Sequence, residues 1–317
     1  MNQVDTKILA GWVITIVDRD SVEAATGRVE EKAEKCGLEV VSIEVLSRPS
    51  AQGGSGYACN AIFVQDSGLE PAAEALSSGL RELADEIGVD LAIQSRSEYG
   101  VERRLFCFDM DSTLIQGEVI DELAKMAGVA DRVVAITASA MRGEIEFQES
   151  FRRRVTLLAG LPYSRVRELL DRIPLMEGAE RLFRTLKARG AKTAILSGGF
   201  TFFGEHLQEK LGVDYVYANV LDVDAEGYVT GQVREPIVDG ACKAALLQQI
   251  AAEENIPLSQ VVAVGDGAND LPMLGLAGMG VAFHAKPVVR AAARFSMTHT
   301  GLDSLLYLLG VPDWEWS

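Results

Sequence analysis

The 317-residue chain is short of cysteine, histidine and positive charge. Its four cysteines, Cys36, Cys59, Cys107 and Cys242, are scattered with no Cys-x-x-Cys pair. That argues against a zinc ribbon or a disulfide framework and suits small core residues in a reducing cytosol. The three histidines, His206, His284 and His299, show no metal-ligand spacing and read as structural or surface residues. Lys and Arg number 30 against 46 Asp and Glu, a net charge of −16. A nucleic-acid partner calls for a basic footprint, and an anionic membrane surface attracts basic segments, so neither is expected. The apolar stretch Ile8–Val17 is too short to span a bilayer and runs straight into Asp18-Arg19-Asp20. Without a basic start or a small-residue cleavage site it reads as a strand rather than a signal, and the expectation is a cytoplasmic protein.

What the chain does have is 48% apolar and 24% charged residues, the balance of an ordinary globular protein. At roughly 150 residues per domain the length gives about two domains, each able to bury a core without staples. The first hundred residues read as strand Leu9–Val17, helix Ser21–Lys35, strand Leu38–Leu46, a Gly/Ser/Pro loop Arg48–Gly56, strand Tyr57–Gln65, helix Pro71–Ile87 and strand Asp90–Gln94. The order βαββαβ suggests a ferredoxin-like α+β module over 1–96. The polar stretch Ser95–Arg104 serves as a linker.

From Leu105 the pattern changes. Leu105–Phe108, Lys192–Leu196, Tyr215–Ala218, Val261–Val264 and Gly280–Phe283 are apolar runs, most of them meeting Gly or Asp, with helical stretches between. This predicts an α/β unit over 101–317 with a Rossmann-like parallel sheet and helices on both faces. The stretch 117–174 is almost wholly helical in composition and rich in charge. Asp222-Val223-Asp224-Ala225-Glu226-Gly227 imitates a calcium loop, but its twelfth position is Val233 rather than Glu, so it reads as a hairpin turn.

Ligands in such sheets bind beyond the carboxyl ends of the strands, and three of those ends carry polar clusters. Phe108-Asp109-Met110-Asp111-Ser112-Thr113-Leu114 sets two carboxylates two residues apart. Unaided, they would repel until one held its proton, and a hard divalent cation removes that penalty. Ser197-Gly198-Gly199 offers a hydroxyl and glycine amides suited to an anion. Gly265-Asp266-Gly267-Ala268-Asn269-Asp270 ends another strand in carboxylates and glycine. Lys243 stands before the apolar stretch Ala244–Ile250. Taken singly, these are an acidic turn, a glycine turn, an Asx-capped turn and a surface lysine.

In this order they are far more specific. Over roughly 105–300 the sequence resembles the haloacid dehalogenase-like phosphatases, and within them it is most similar to the phosphoserine phosphatases. Phe106–Thr113 and Val264–Asp270 carry that similarity almost letter for letter. The resemblance implies hydrolysis of O-phosphoserine to serine and phosphate, in serine biosynthesis, through an aspartyl-phosphate on Asp109. Asp111 would protonate the leaving alcohol and then deprotonate the attacking water. Mg²⁺ would be held by the carboxylates of Asp109 and Asp266 and the main-chain carbonyl of Asp111, with Asp270 near its waters. Ser197, the Gly198 amide and Lys243 would hold phosphoryl oxygens, and Asn269 would touch substrate or phosphate.

The same resemblance makes 117–174 a helical cap inserted between core segments 101–116 and 175–317, and implies that this cap recognises an amino acid. Glu118 would meet the ammonium and Arg154 the carboxylate, under an apolar lid of Phe147 and Met141. Phe147 and Arg154, seven apart, share a helix face, and Met141 lies near the start of that helix. Arginine suits a carboxylate because it can grip both oxygens. The N-terminal module resembles an ACT domain by element order. Such domains often bind amino acids at subunit interfaces and often carry Gly after the first strand, whereas here the turn is Val17-Asp18-Arg19-Asp20-Ser21. An amino-acid ligand, a homodimer contact and a purely structural role stay open for the module. Other readings of the whole chain are a phosphatase or phosphotransferase for another small phosphomonoester such as homoserine phosphate, and an amino-acid sensor.

Overall fold

The computed structural model describes residues 11–48, 56–66 and 73–317. The start of the first expected strand, most of the Gly/Ser/Pro loop and the start of the helix expected at Pro71 lie outside the described residues. The N-terminal unit comprises β1 (Trp12–Asp18), α1 (Glu23–Lys35), β2 (Leu38–Ser47), β3 (Ala58–Asp66), α2 (Ala73–Ile87) and β4 (Asp90–Ser95). Its strands form an antiparallel sheet in the order β2-β3-β1-β4, the arrangement expected of a ferredoxin-like module. Alternation along the strands divides the apolar residues between two faces. Ile14, Ile16, Ile62 and Val64 pack under Val29, Leu76 and Leu80 of the helices. Val13, Val17, Cys59 and Phe63 on the opposite face join a core that also contains Tyr307, Leu308 and Val311 near the C-terminus. The stretch expected as a plain linker is docked: Glu98 within it is ion-paired with Arg294.

The second unit begins with β5 (Leu105–Phe108), then α3 (Val119–Met126), α4 (Ala130–Met141), α5 (Phe147–Thr156) and α6 (Tyr163–Val166). There follow α7 (Ala179–Ala188), β6 (Lys192–Phe200), α8 (Thr201–Leu211), β7 (Tyr215–Asn219), the hairpin β8 (Leu221–Val223) and β9 (Val229–Val233), and α9 (Gly240–Glu253). β10 (Val261–Gly265), α10 (Leu271–Leu276), β11 (Met279–Phe283), α11 (Pro287–Ala292), β12 (Phe295–Met297) and α12 (Leu305–Leu308) complete it. Six parallel strands form one sheet in the order β12-β11-β10-β5-β6-β7. β5, β10 and β11 are buried along their whole length, which is why they read as unbroken apolar runs. α7 shows the complementary helical pattern, burying Ala179, Leu182, Phe183 and Leu186 on one stripe.

Two expectations need correction. Met141 ends α4, the helix before the one that carries Phe147 and Arg154. Ser197-Gly198-Gly199 is not a turn after β6 but part of it, bulged between Leu196, paired with Tyr217, and Phe200, paired with Asn219. The hairpin at Asp224–Gly227 is present as expected, and it is tied to the helical insertion. Gly160 N–H donates to the Val229 carbonyl at 2.8 Å, and Val229 N–H donates to that of Leu161 at 2.9 Å.

Candidate active site

Parallel register brings the two acidic loops together. Phe108 of β5 pairs with Val264 of β10, and Asp109 N–H donates to the Val264 carbonyl at 2.9 Å. Asp109 and Asp266 therefore leave the sheet side by side. Asp270 returns to them from a short 3₁₀ turn, where its Oδ2 accepts the Gly267 N–H at 2.9 Å. A side chain at Gly265 would collide with the Asp270 carboxylate, which explains the glycine at that strand end. One carboxylate oxygen from each of Asp109, Asp266 and Asp270 lies within 4.8 Å of the others.

Lys243 meets this cluster from α9. Asp239 caps that helix by accepting the Cys242 N–H at 2.9 Å, so the first turn is fixed and Lys243 points inward. Its ammonium is 2.7 Å from both Asp109 Oδ1 and Asp270 Oδ1, with the lysine wholly buried. Taken alone, Lys243 read as a surface residue. The site overturns that reading because paired carboxylates offset the cost of burying an ammonium.

Asp111 lies on the other side of Asp109. Its Oδ1 accepts the Val119 N–H at 2.9 Å, at the start of α3, and its carboxylate faces Gly199, where a Cβ would clash with it. Ser112, at φ 58°, turns the chain sharply here and donates to Glu118 Oε1 at 3.0 Å. Ser197 is fully buried and its Oγ accepts the Gly199 N–H at 2.9 Å. Gly198 faces the cap: a Cβ there would stand 3.0 Å from the Phe147 ring. Asn269 lies half-buried on the turn with Asp270, its main chain against Gly240.

Burial and mutual repulsion dominate the electrostatics of these carboxylates. Burial, then the charge of Asp270, raises the Asp109 carboxyl well above its ordinary range, although Lys243 works against the rise. Burial and then Glu118 push Asp111 up to about 8, and burial and then Asp270 push Asp266 up to about 7. Burial acts against the charge on Lys243, but Asp109 and Asp270 outweigh it and hold the ammonium above its usual value. Oxygen donors crowded in this way, with only one lysine among them, fit a hard divalent cation.

Arg154 is partly buried on α5, which lowers its pKa, and it faces the negative charges of Glu118, Asp121 and Asp111. Its Nε donates to the Ser150 carbonyl of its own helix at 3.4 Å. An arginine so placed retains its charge and can take a carboxylate from the cleft.

Several site-shaping residues carried no signal in the sequence. Asn219 Nδ2 donates to the Gly198 carbonyl at 2.9 Å while its Oδ1 accepts the Val238 N–H at 2.8 Å, pinning the bulge of β6 to the loop before α9. Gln148 Nε2 donates to Asp239 Oδ2 at 2.6 Å, and Arg152 pairs with Glu235 at 2.7 Å. These bonds seat the cap helix α5 on the segment that leads to Lys243. Across the mouth, Lys286 lies 3.9 Å from the Met141 sulfur.

A parallel sheet whose strand ends gather carboxylates and a buried lysine, with helices inserted after the first acidic loop, defines a Rossmann-like α/β fold with an acidic site suited to a cation. The chain belongs to the haloacid dehalogenase-like hydrolases, whose family pattern matches residues 103–278. A phosphoserine phosphatase of Streptomyces coelicolor is 42% identical to it over 299 residues, covering 94% of this chain and 70% of the relative. The structure of a probable phosphoserine phosphatase from Vibrio cholerae, unliganded, superposes with a TM-score of 0.76 at 31% identity, covering 99% of this chain and 90% of that one. A structure described as a phospho-aspartyl intermediate analogue of phosphoserine phosphatase gives a TM-score of 0.61 at 42% identity, covering 65% of this chain and 98% of that one. Among the described residues no helix is long and apolar enough to cross a membrane.

Proposed function

We propose that the protein hydrolyses O-phosphoserine to serine and phosphate, with Asp109 as nucleophile and Mg²⁺ as the cation. The observation that carries the reading is proximity: Asp109 is paired with Lys243, and beside its neighbour Asp111 stand Arg154 and Glu118, which have the charges to bind an amino acid's carboxylate and ammonium. Relatives named for this activity are 42% and 45% identical to the chain over aligned stretches of 299 and 250 residues, which supports the substrate.

Asp109 attacks phosphorus as the bond to the serine oxygen breaks, and Asp111, holding its proton, passes that proton to the leaving oxygen. Burial and the charge of Glu118, both of which favour the protonated carboxyl, suit that acid role. The aspartyl-phosphate rests against Ser197, the Gly198 amide and Lys243, which spread the charge on its oxygens. Asp111, now ionised, takes a proton from water. That water attacks phosphorus, breaks its bond to the Asp109 oxygen and restores the carboxylate. Asp109, Asp266 and the main-chain carbonyl of Asp111 would hold the cation, with Asp270 beside them. When bound, it supplies positive charge that offsets the carboxylates and the substrate's phosphate. Asn269 orients the phosphate from the turn beside Asp266.

The division that goes with this reading is a module over 1–96, a core of 101–116 and 175–317, and a cap of 117–174. Four cysteines without a disulfide suit a cytoplasmic setting. The test is a panel of phosphomonoesters assayed with and without Mg²⁺. The reading expects O-phospho-L-serine to have the highest kcat/KM and turnover to vanish with a chelator. A better substrate lacking an amino-acid group would overturn the substrate assignment.

A further inference from the structure

The cap joins the core through two segments that lie side by side. Ile115 of the outgoing segment bridges to Leu175 of the returning one. Gln116 N–H donates to the Pro174 carbonyl at 2.9 Å, and Met176 N–H donates to that of Leu114 at 2.8 Å. Leu114 closes the loop that carries Asp109 and Asp111, so this crossing is both the hinge of the cap and a wall of the site.

The two segments differ in freedom. Gly117, at φ +123°, has no atom within 4 Å of where a side chain would begin. Gly178, at φ +81°, is pressed against Asp303, and the Glu177 carbonyl accepts the Leu302 N–H at 2.8 Å. The Glu177 side chain is held by the other unit of the protein. Arg19 donates from both terminal nitrogens to its two oxygens at 2.9 and 2.7 Å, and Tyr57 OH donates to it at 2.9 Å. These residues are tied in turn to the core: Arg19 Nε donates to the His299 carbonyl at 2.8 Å, and Gly301 N–H donates to Tyr57 OH at 3.0 Å. Arg19 lies in the turn after β1 that the sequence left without a role.

Arg19 and Glu177 are each about half exposed, at 48% and 54% of the side chain, so the pair adds little to stability. Its two-pronged geometry instead fixes position. We propose that the N-terminal unit anchors the pivot of the cap: Arg19 and Tyr57, by fixing Glu177, set where the cap closes and hence where Glu118 and Arg154 meet the substrate. Arg19 and Glu177 are positioning residues. The assignment rests on the reading of the cleft as a phosphoserine site. It gives the module a mechanical task that requires no ligand.

The test uses the full chain with Arg19→Met and the near-isosteric Glu177→Gln. Asp85→Asn serves as a control, since it removes the charge from the Asp85–Arg290 ion pair, another contact between the same two units. Kinetics are measured with O-phospho-L-serine and with p-nitrophenyl phosphate, which has no amino or carboxylate group for the cap to hold. Amide exchange is followed at residues 114–118 and 174–177. Both hinge variants are expected to raise KM for phosphoserine roughly 3- to 30-fold, to leave p-nitrophenyl phosphate turnover nearly unchanged and to speed exchange at the hinge. The control should do none of these. Equal losses on both substrates, or unchanged KM with unchanged exchange, would overturn the anchor. If the unaltered protein hydrolyses p-nitrophenyl phosphate but not phosphoserine, the functional reading fails instead, and exchange at the hinge alone decides the anchor.

Discussion

Lys243 Nζ stands 2.7 Å from Asp109 Oδ1, the lysine side chain fully buried and the aspartate nearly so. The ammonium offsets the charge of Asp109 and Asp270, and in the proposed function it also meets the incoming phosphate. Removing the lysine leaves buried carboxylates facing one another. Lys243→Met is therefore expected to lower stability by about 3–5 kcal/mol in cation-free buffer and kcat by about 10²–10³-fold. Urea unfolding and steady-state assays check the two effects separately.

The proposed function gives Arg154 the substrate carboxylate. A charge-assisted hydrogen bond contributes about 1.5–3 kcal/mol, so Arg154→Ala should cost about 10- to 150-fold in kcat/KM for phosphoserine. p-Nitrophenyl phosphate turnover should change far less. A matching loss on both substrates would place Arg154 in the support of the fold rather than in recognition.

Gly199 lies against Asp111 with no room for a methyl group. Gly199→Ala is expected to shift Asp111 from the Val119 amide and cost about 1–3 kcal/mol in stability. It should also lower kcat by at least about tenfold, since small displacements of a catalytic group are expensive. Thermal unfolding and kcat measured on the same preparation check both parts.

Asp303 provides a pH signature away from the catalytic cluster. Burial raises its carboxyl to about 6, with Arg181 at 3.2 Å resisting the rise. Because this pKa lies above the ordinary value of 3.8, the folded state binds the proton more tightly than the unfolded chain. The stability it contributes is complete below pH of about 4 and is lost as pH rises through about 6, a change of order 3 kcal/mol. Asp303→Asn should flatten that part of the profile, so that the variant loses less stability than the unaltered protein between pH 4 and pH 8. Denaturation across this range is the measurement.

The parallel sheet and its acidic loops were legible because fully buried strands read as apolar runs and the chemistry gathers where those runs stop. Asp109, Asp111 and Asp266 could be placed for that reason. β12, three residues long, was too brief to leave a pattern. Ser197–Gly199 read as a turn because glycine marks turns, whereas here it allows a bulged strand to approach Asp111 and the cap. The burial of Lys243 was hidden because it depends on partners from two other segments. Asn219, Gln148 and Asp239 were missed for the same reason: each acts through hydrogen bonds to a distant segment, which composition and periodicity do not record. Arg19 looked like part of a charged turn, and only the fold brings it to Glu177.

The central claim is that Asp109 carries the phosphoryl group. Phosphoserine labelled in its phosphate can be mixed with the protein and Mg²⁺, quenched in acid on the millisecond scale, and digested for peptide mapping. The account predicts label on the peptide containing Asp109, and neither label nor phosphate release in Asp109→Asn. Undiminished phosphate release by Asp109→Asn, or label on another residue, would contradict it.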